Sequence, residues 1–121
     1  MPRTALIVDD SITIRQMLSF TLKEAGFAVI EAVDGQDGLE RLAAQRVDLI
    51  VTDLNMPRLD GIGFIRGLRA RATSKYTPVL MLTTESQESK RLEGRAAGAT
   101  AWLVKPFQPE KLLMVIGKVL P

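Results

Sequence analysis

Asp9 and Asp10 follow directly on the apolar run Ala5–Val8. Asp53 follows Leu49–Thr52, Thr83 and Thr84 follow Val79–Leu82, and Lys105 follows Ala101–Val104. If these runs are strands of one parallel sheet, their ends share a rim. In such sheets ligands bind beyond the carboxyl ends of the strands, where the strand order reverses. Three carboxylates, a hydroxyl and an ammonium would then face one crevice. Singly, each residue has a plainer reading: Asp as a turn residue, Thr as a β-branched strand residue, Lys-Pro as a strand terminus. The joint pattern carries the argument.

Three carboxylates in a crevice repel. Two unit charges 4 Å apart interact by about 4 kcal/mol at an effective dielectric near 20, which pushes one of them toward protonation. A divalent cation removes that penalty, and Mg²⁺ suits a site of few carboxylates and several waters. A phosphoryl group also fits: Mg²⁺ and Lys neutralise its oxygens and a Thr hydroxyl donates to one. A carboxylate can accept phosphoryl covalently.

Composition narrows the chemistry further. The 121 residues include no Cys and no His. Disulfides, thiolate catalysis, imidazole triads and zinc sites of the usual donors are excluded, and any metal must be a hard, oxygen-loving cation. The net charge of +2 gives little drive toward nucleic acid or an anionic membrane. Asp9 and Asp10 interrupt the N-terminal apolar run before it reaches the length of a secretion signal. No apolar stretch approaches a membrane span. A cytoplasmic location is expected.

The elements that must hold these residues alternate along the chain. Strands are expected at Ala5–Val8, Ala28–Ala32, Leu49–Thr52, Val79–Leu82 and Ala101–Val104. Between them run helical periods. Ser11 reads as the cap of the first helix, which stops at Gly26, and Asp34-Gly35 reads as a turn before a short helix with Leu39, Leu42 and Ala43. Ile62, Ile65 and Leu68 mark the third helix, after a loop over Asp53–Gly61. Ser86 reads as the cap of the fourth, which contains Gly94 and ends at Gly98; Gly94 makes it the least stable helix expected. The last runs from about Glu110 to Val119. Five βα units imply an α/β domain, a doubly wound five-stranded parallel sheet with five helices and right-handed crossovers. A length near one domain and the absence of a linker give one domain over residues 1–121.

The segments LIVDDS, DLIVTDLNMPRLDG, PVLMLTTE and GATAWLVKPF resemble the signature blocks of receiver domains of two-component response regulators. The resemblance covers essentially the whole chain and is strongest to the single-domain, CheY-like chemotaxis type. It implies a flavodoxin-like strand order 2-1-3-4-5 and no output domain. It implies that Asp53 accepts phosphoryl from a phosphohistidine on a sensor or chemotaxis histidine kinase. Asp9, Asp10, Asp53 and the backbone carbonyl of Asn55 would hold Mg²⁺. Thr83 and Lys105 would bond the phosphoryl oxygens, Lys105 being followed by a cis peptide to Pro106. Asn55 and Glu85 match positions that tune dephosphorylation. Trp102 stands at the switch-aromatic position, where Tyr or Phe is more usual. The resemblance implies self-catalysed phosphotransfer and autodephosphorylation in a signalling domain that is not otherwise an enzyme. The missing His then belongs to the partner.

The downstream target implied is a protein such as the flagellar motor switch, with no direct contact to nucleic acid or membrane. The fourth helix carries Lys90, Arg91 and Arg95, and set beside the resemblance it looks more basic than the motor-binding face of the enteric chemotaxis regulator. Alternatives are a receiver cut from a longer regulator, a phosphate sink, and an Asp-nucleophile phosphatase of the haloacid dehalogenase type. The last needs a second Asp two residues after the nucleophile, where this chain has Asn55.

Overall fold

In the computed structural model, which describes residues 2–84 and 88–120, strands and helices alternate. They are β1 (Thr4–Val8), α1 (Ile12–Glu24), β2 (Ala28–Ala32), α2 (Gly35–Ala44), β3 (Leu49–Asp53), α3 (Gly61–Arg69), β4 (Val79–Thr83), α4 (Glu88–Ala97), β5 (Ala101–Val104) and α5 (Pro109–Val119). All four strand pairings are parallel, in the order β2-β1-β3-β4-β5. The expected doubly wound sheet is therefore present. β3 and β4 each run one residue beyond the expected end, so Asp53 and Thr83 are terminal strand residues.

Alternating side chains of the central strands go to opposite faces, and both faces are covered. Leu6, Val8, Ile50, Val79 and Met81 pack with Leu42 of α2 and with Phe64, Ile65 and Leu68 of α3. Ala5, Ile7, Leu49, Val51, Leu80 and Leu82 pack with Leu18 and Leu22 of α1 and with Leu112 and Ile116 of α5. Complete burial of Leu6 and Ile7, neighbours on one strand, shows why these runs read as continuous rather than alternating hydrophobic patterns.

Local chemistry sets the helix ends. Ser11 Oγ accepts the Ile14 N–H at 3.3 Å, the expected cap of α1. Gly26 and Gly98 follow α1 and α4 with φ of +97° and +118°, in the left-handed region that favours glycine. Asp34-Gly35 is not a free turn. Asp34 is extended, and its Oδ1 accepts the Asp37 N–H at 2.8 Å, so it caps α2 and Gly35 is the first helical residue. An Asp-Gly pair serves either purpose by sequence; here the helix claims it. The expected cap at Ser86 lies outside the described residues.

Gly94 is the buried residue of α4. A Cβ there would run into Met81 Cε and Sδ, so the glycine that weakens the helix also lets it lie close to β4. Among the described residues, no helix is long and apolar enough to cross a membrane.

Candidate functional site

Register brings the polar strand ends together. Val8 pairs with Thr52, so Asp9 and Asp53 leave adjacent strands at the same level. Thr83 pairs with Val104, and the Lys105 N–H donates to the Thr83 carbonyl at 2.6 Å. All of these residues lie at the carboxyl edge, near the reversal of strand order at β1 and β3.

The side chains converge. One carboxylate oxygen from each of Asp9, Asp10 and Asp53 lies within 4.8 Å of the others. Asp9 is fully buried, Asp53 is half-buried and Asp10 is exposed. Lys105 Nζ donates to Asp53 Oδ1 at 3.0 Å and lies 3.7 Å from Asp9 Oδ2. The backbone holds the acids in place: the Ser11 N–H donates to Asp9 Oδ1 at 2.9 Å, and the Leu54 N–H donates to Asp53 Oδ1 at 2.8 Å. Arg15 Nη1 donates to the Asp9 carbonyl at 2.7 Å and ion-pairs with Glu31 through Nε. The sequence reading missed Arg15. Its position one turn after the Ser11 cap was the available signal.

Two buried atoms expose the unfinished chemistry. Among the described residues, Asp9 Oδ2 and Thr83 Oγ1 have no hydrogen-bond partner. Buried polar groups are normally satisfied, and exceptions call for an explanation. Burial pushes the Asp9 carboxyl above its ordinary value, with repulsion from Asp53 adding and the Ser11 N–H opposing. Asp9 Oδ2, turned into a group of three carboxylates, has the donor chemistry a small hard cation takes. Thr83 Oγ1 offers a donor at the same rim.

The other expected residues fall around this pocket. Asn55 is exposed on the loop that follows β3. The Lys105–Pro106 peptide is cis, as expected. Trp102 is half-buried, packs at the edge of the core, and carries the Arg91 guanidinium over its ring at 4.3 Å. Both line a cavity of about 370 Å³ with Pro106, Phe107 and Lys111. Arg91 is thus more than part of a solvated helix face. Lys90 fits the plainer reading, paired with Glu93 at 3.5 Å on the exposed side. Glu85 lies outside the described residues.

Fold and pocket together define a doubly wound α/β domain with an acidic, lysine-bearing site at its switch point. Residues 5–117 match the response regulator receiver domain, and the chain belongs to that family of signalling phosphoacceptor domains. It is similar to the solved chemotaxis response regulator CheY4 of Vibrio cholerae, with 48% identity and a TM-score of 0.94, covering 99% of this chain and 100% of that one. It is 39% identical over 115 residues to the chemotaxis protein CheY of Pseudomonas aeruginosa, covering 94% of this chain and 93% of that protein. It is 42% identical over 113 residues to the response regulator MprA of Mycolicibacterium vanbaalenii, covering 93% of this chain and 48% of that protein. The chain spans about half the length of the first curated relatives it matches.

Proposed function

We propose that the chain is a Mg²⁺-dependent phosphorylation switch that acts in chemotaxis. Asp53 accepts the phosphoryl group. An Asp53 carboxylate oxygen forms the new P–O bond while the P–N bond of a kinase phosphohistidine breaks. The electron pair returns to the imidazole, which leaves as part of the kinase. The observation that carries this reading is the 3.0 Å contact of Lys105 Nζ with Asp53 Oδ1, beside the Thr83 hydroxyl, which has no hydrogen-bond partner among the described residues.

Asp9, Asp10, Asp53 and the backbone carbonyl of Asn55 would hold Mg²⁺. When bound, Mg²⁺ supplies positive charge against the carboxylates and the incoming phosphoryl oxygens. Lys105 exchanges its carboxylate partner for a phosphoryl oxygen, and Thr83 Oγ1 donates to another. These new bonds exist only in the phosphorylated state, and only such differential contacts can shift a conformational equilibrium. Because Lys105 and Thr83 flank the pairing of β4 with β5, the shift reaches Trp102 two residues before Val104. Asn55 and Glu85 set how water reaches the acyl phosphate and so its lifetime.

The likeness to CheY and CheY4 over nearly their whole lengths supports chemotaxis. On that reading a histidine kinase acts upstream and a target such as the flagellar motor switch downstream. The half-length match to MprA supports a second reading, in which the same switch serves a longer regulator. Phosphorylation by acetyl phosphate or a phosphorylated histidine kinase tests the shared core. Wild type should take up phosphate with Mg²⁺ and take up none in chelator, and Asp53→Asn should take up none while remaining folded. Phosphate retained on Asp53→Asn refutes the assignment.

A further inference from the structure

We infer that Arg58 is a positioning residue for the cation site, clamping the loop after β3 to the start of α2. This deepens the reading above and rests on it, because that loop carries Asn55.

Arg58 has φ +65°, in the left-handed region that a non-glycine residue seldom occupies. Such backbone persists where its surroundings hold it. The holding group is Asp34. Arg58 Nε donates to Asp34 Oδ2 at 2.7 Å and Nη2 donates to Oδ1 at 3.0 Å. This is the paired fork that guanidinium and carboxylate form best. The Asp34 side chain is only 5% exposed and is already fixed as the cap of α2, so it is a rigid post.

A backbone link runs beside the ionic one. The Gly35 N–H donates to the Leu59 carbonyl at 3.1 Å. A Cβ at Gly35 would lie 2.6 Å from that oxygen, so the approach depends on glycine. At the other end the loop closes on itself, with the Gly61 N–H donating to the Leu54 carbonyl at 2.8 Å. The segment between Asp53 and Gly61 is therefore pinned at its root and at Arg58-Leu59. Asn55 lies between the pins.

Stability alone accounts poorly for this arrangement. The Arg58 side chain is 58% exposed, so solvent screens the pair and its contribution to stability is modest. A cation ligand has a sharper requirement. Mg²⁺ demands near-ideal octahedral geometry, so a backbone carbonyl on a loop must be held in place to serve. Groups that orient metal ligands commonly change affinity by about 10-fold to 100-fold.

Two readouts test the clamp: calorimetric titration of Mg²⁺ into the purified chain, and amide hydrogen exchange at Gly61 in metal-free protein. Arg58→Asn keeps a residue that tolerates left-handed backbone, and Asp34→Asn keeps a good helix cap. Each should weaken Mg²⁺ binding roughly threefold to tenfold, below the full range for ligand-orienting groups, and speed Gly61 exchange. Combined, they should lose no more than either alone, because they remove one interaction. Arg58→Lys, with charge but no fork, should fall between. Unchanged affinity in both single variants, or losses that multiply in the double, overturns the clamp and leaves the site reading standing. Absence of Mg²⁺ binding by wild type overturns both.

Discussion

Lys105 Nζ sits 3.0 Å from Asp53 Oδ1 and 3.7 Å from Asp9 Oδ2, bridging two acids that leave adjacent strands. One ammonium between two carboxylates cannot neutralise both, and Asp10 adds a third. The lysine is therefore a partial counterion with its main contact on the proposed phosphoacceptor. Lys105→Ala should leave Asp53 able to take phosphoryl from a small donor, since the nucleophile and acidic ligands remain. It should separate that step from the switch. Trp102 emission, which should respond to Mg²⁺ and then beryllofluoride in wild type, should lose its beryllofluoride response in the variant. A full response from Lys105→Ala removes the lysine from the coupling.

Asp9 and Asp34 should respond to pH with opposite signs. Burial raises the Asp9 carboxyl, so folded protein binds that proton more tightly than unfolded chain does. Metal-free protein then loses stability as pH rises from the ordinary value of 3.8 through the raised one. The Arg58 hydrogen bond chiefly lowers Asp34. Its contribution is present above the ordinary value and is lost as pH falls through the lowered one. Asp9→Asn should raise the metal-free Tm at pH 7, by about 4 °C for each kcal/mol of penalty relieved, and abolish the rise in Tm that Mg²⁺ gives wild type. Asp34→Asn should lower Tm at pH 7 and converge on wild type in acid. Thermal melts with and without Mg²⁺ check both signs.

The parts of the site legible in the sequence are those that depend on strand ends. Asp9, Asp53, Thr83 and Lys105 each end an apolar run, and parallel register does the rest. What stayed hidden depends on long cationic side chains reaching across elements. Arg58 finds Asp34 at a separation of 24 residues, and Arg91 reaches Trp102 from another element. No periodicity encodes such partners. Asp34 reads as a turn by sequence because Asp-Gly has two uses, and the helix that decides between them is short. By sequence Gly94 is only a propensity penalty, since its closeness to Met81 exists only once α4 lies on the sheet.

Gly61 joins the fold to the site most directly. A Cβ there would run into the Asp53 carbonyl oxygen and lie 3.0 Å from Leu54 Cα. Both obstacles are backbone, so neither yields by a rotamer change. Gly61→Ala should destabilise by about 2 kcal/mol, within the range for overpacking, despite the better helix propensity of Ala. Relief must come from moving Asp53 or α3, so phosphorylation should fall more than the folded fraction does. Urea unfolding beside acetyl phosphate labelling measures the two losses. Equal losses place the damage in stability alone.

Arg91 holds Trp102 by a contact that movement of the indole away from α4 would give up. The guanidinium lies 4.3 Å over the ring, and its Nη1 is 3.4 Å from Glu88 Oε2, which steadies it from within α4. A cation–π contact at a partly exposed site is worth about 0.5–1 kcal/mol. If phosphorylation draws Trp102 away from Arg91, that amount opposes the switch. Arg91→Ala should therefore shift the equilibrium toward the switched state by roughly twofold to fivefold. In the resting state it should also expose the indole, with red-shifted emission and stronger acrylamide quenching. The beryllofluoride midpoint should fall by the same factor, while Arg91→Lys, lacking the planar stack, should lie between. Stronger quenching with an unmoved midpoint places the indole's movement elsewhere than off the guanidinium. With neither changed, the core contacts of Trp102 hold it without help from α4.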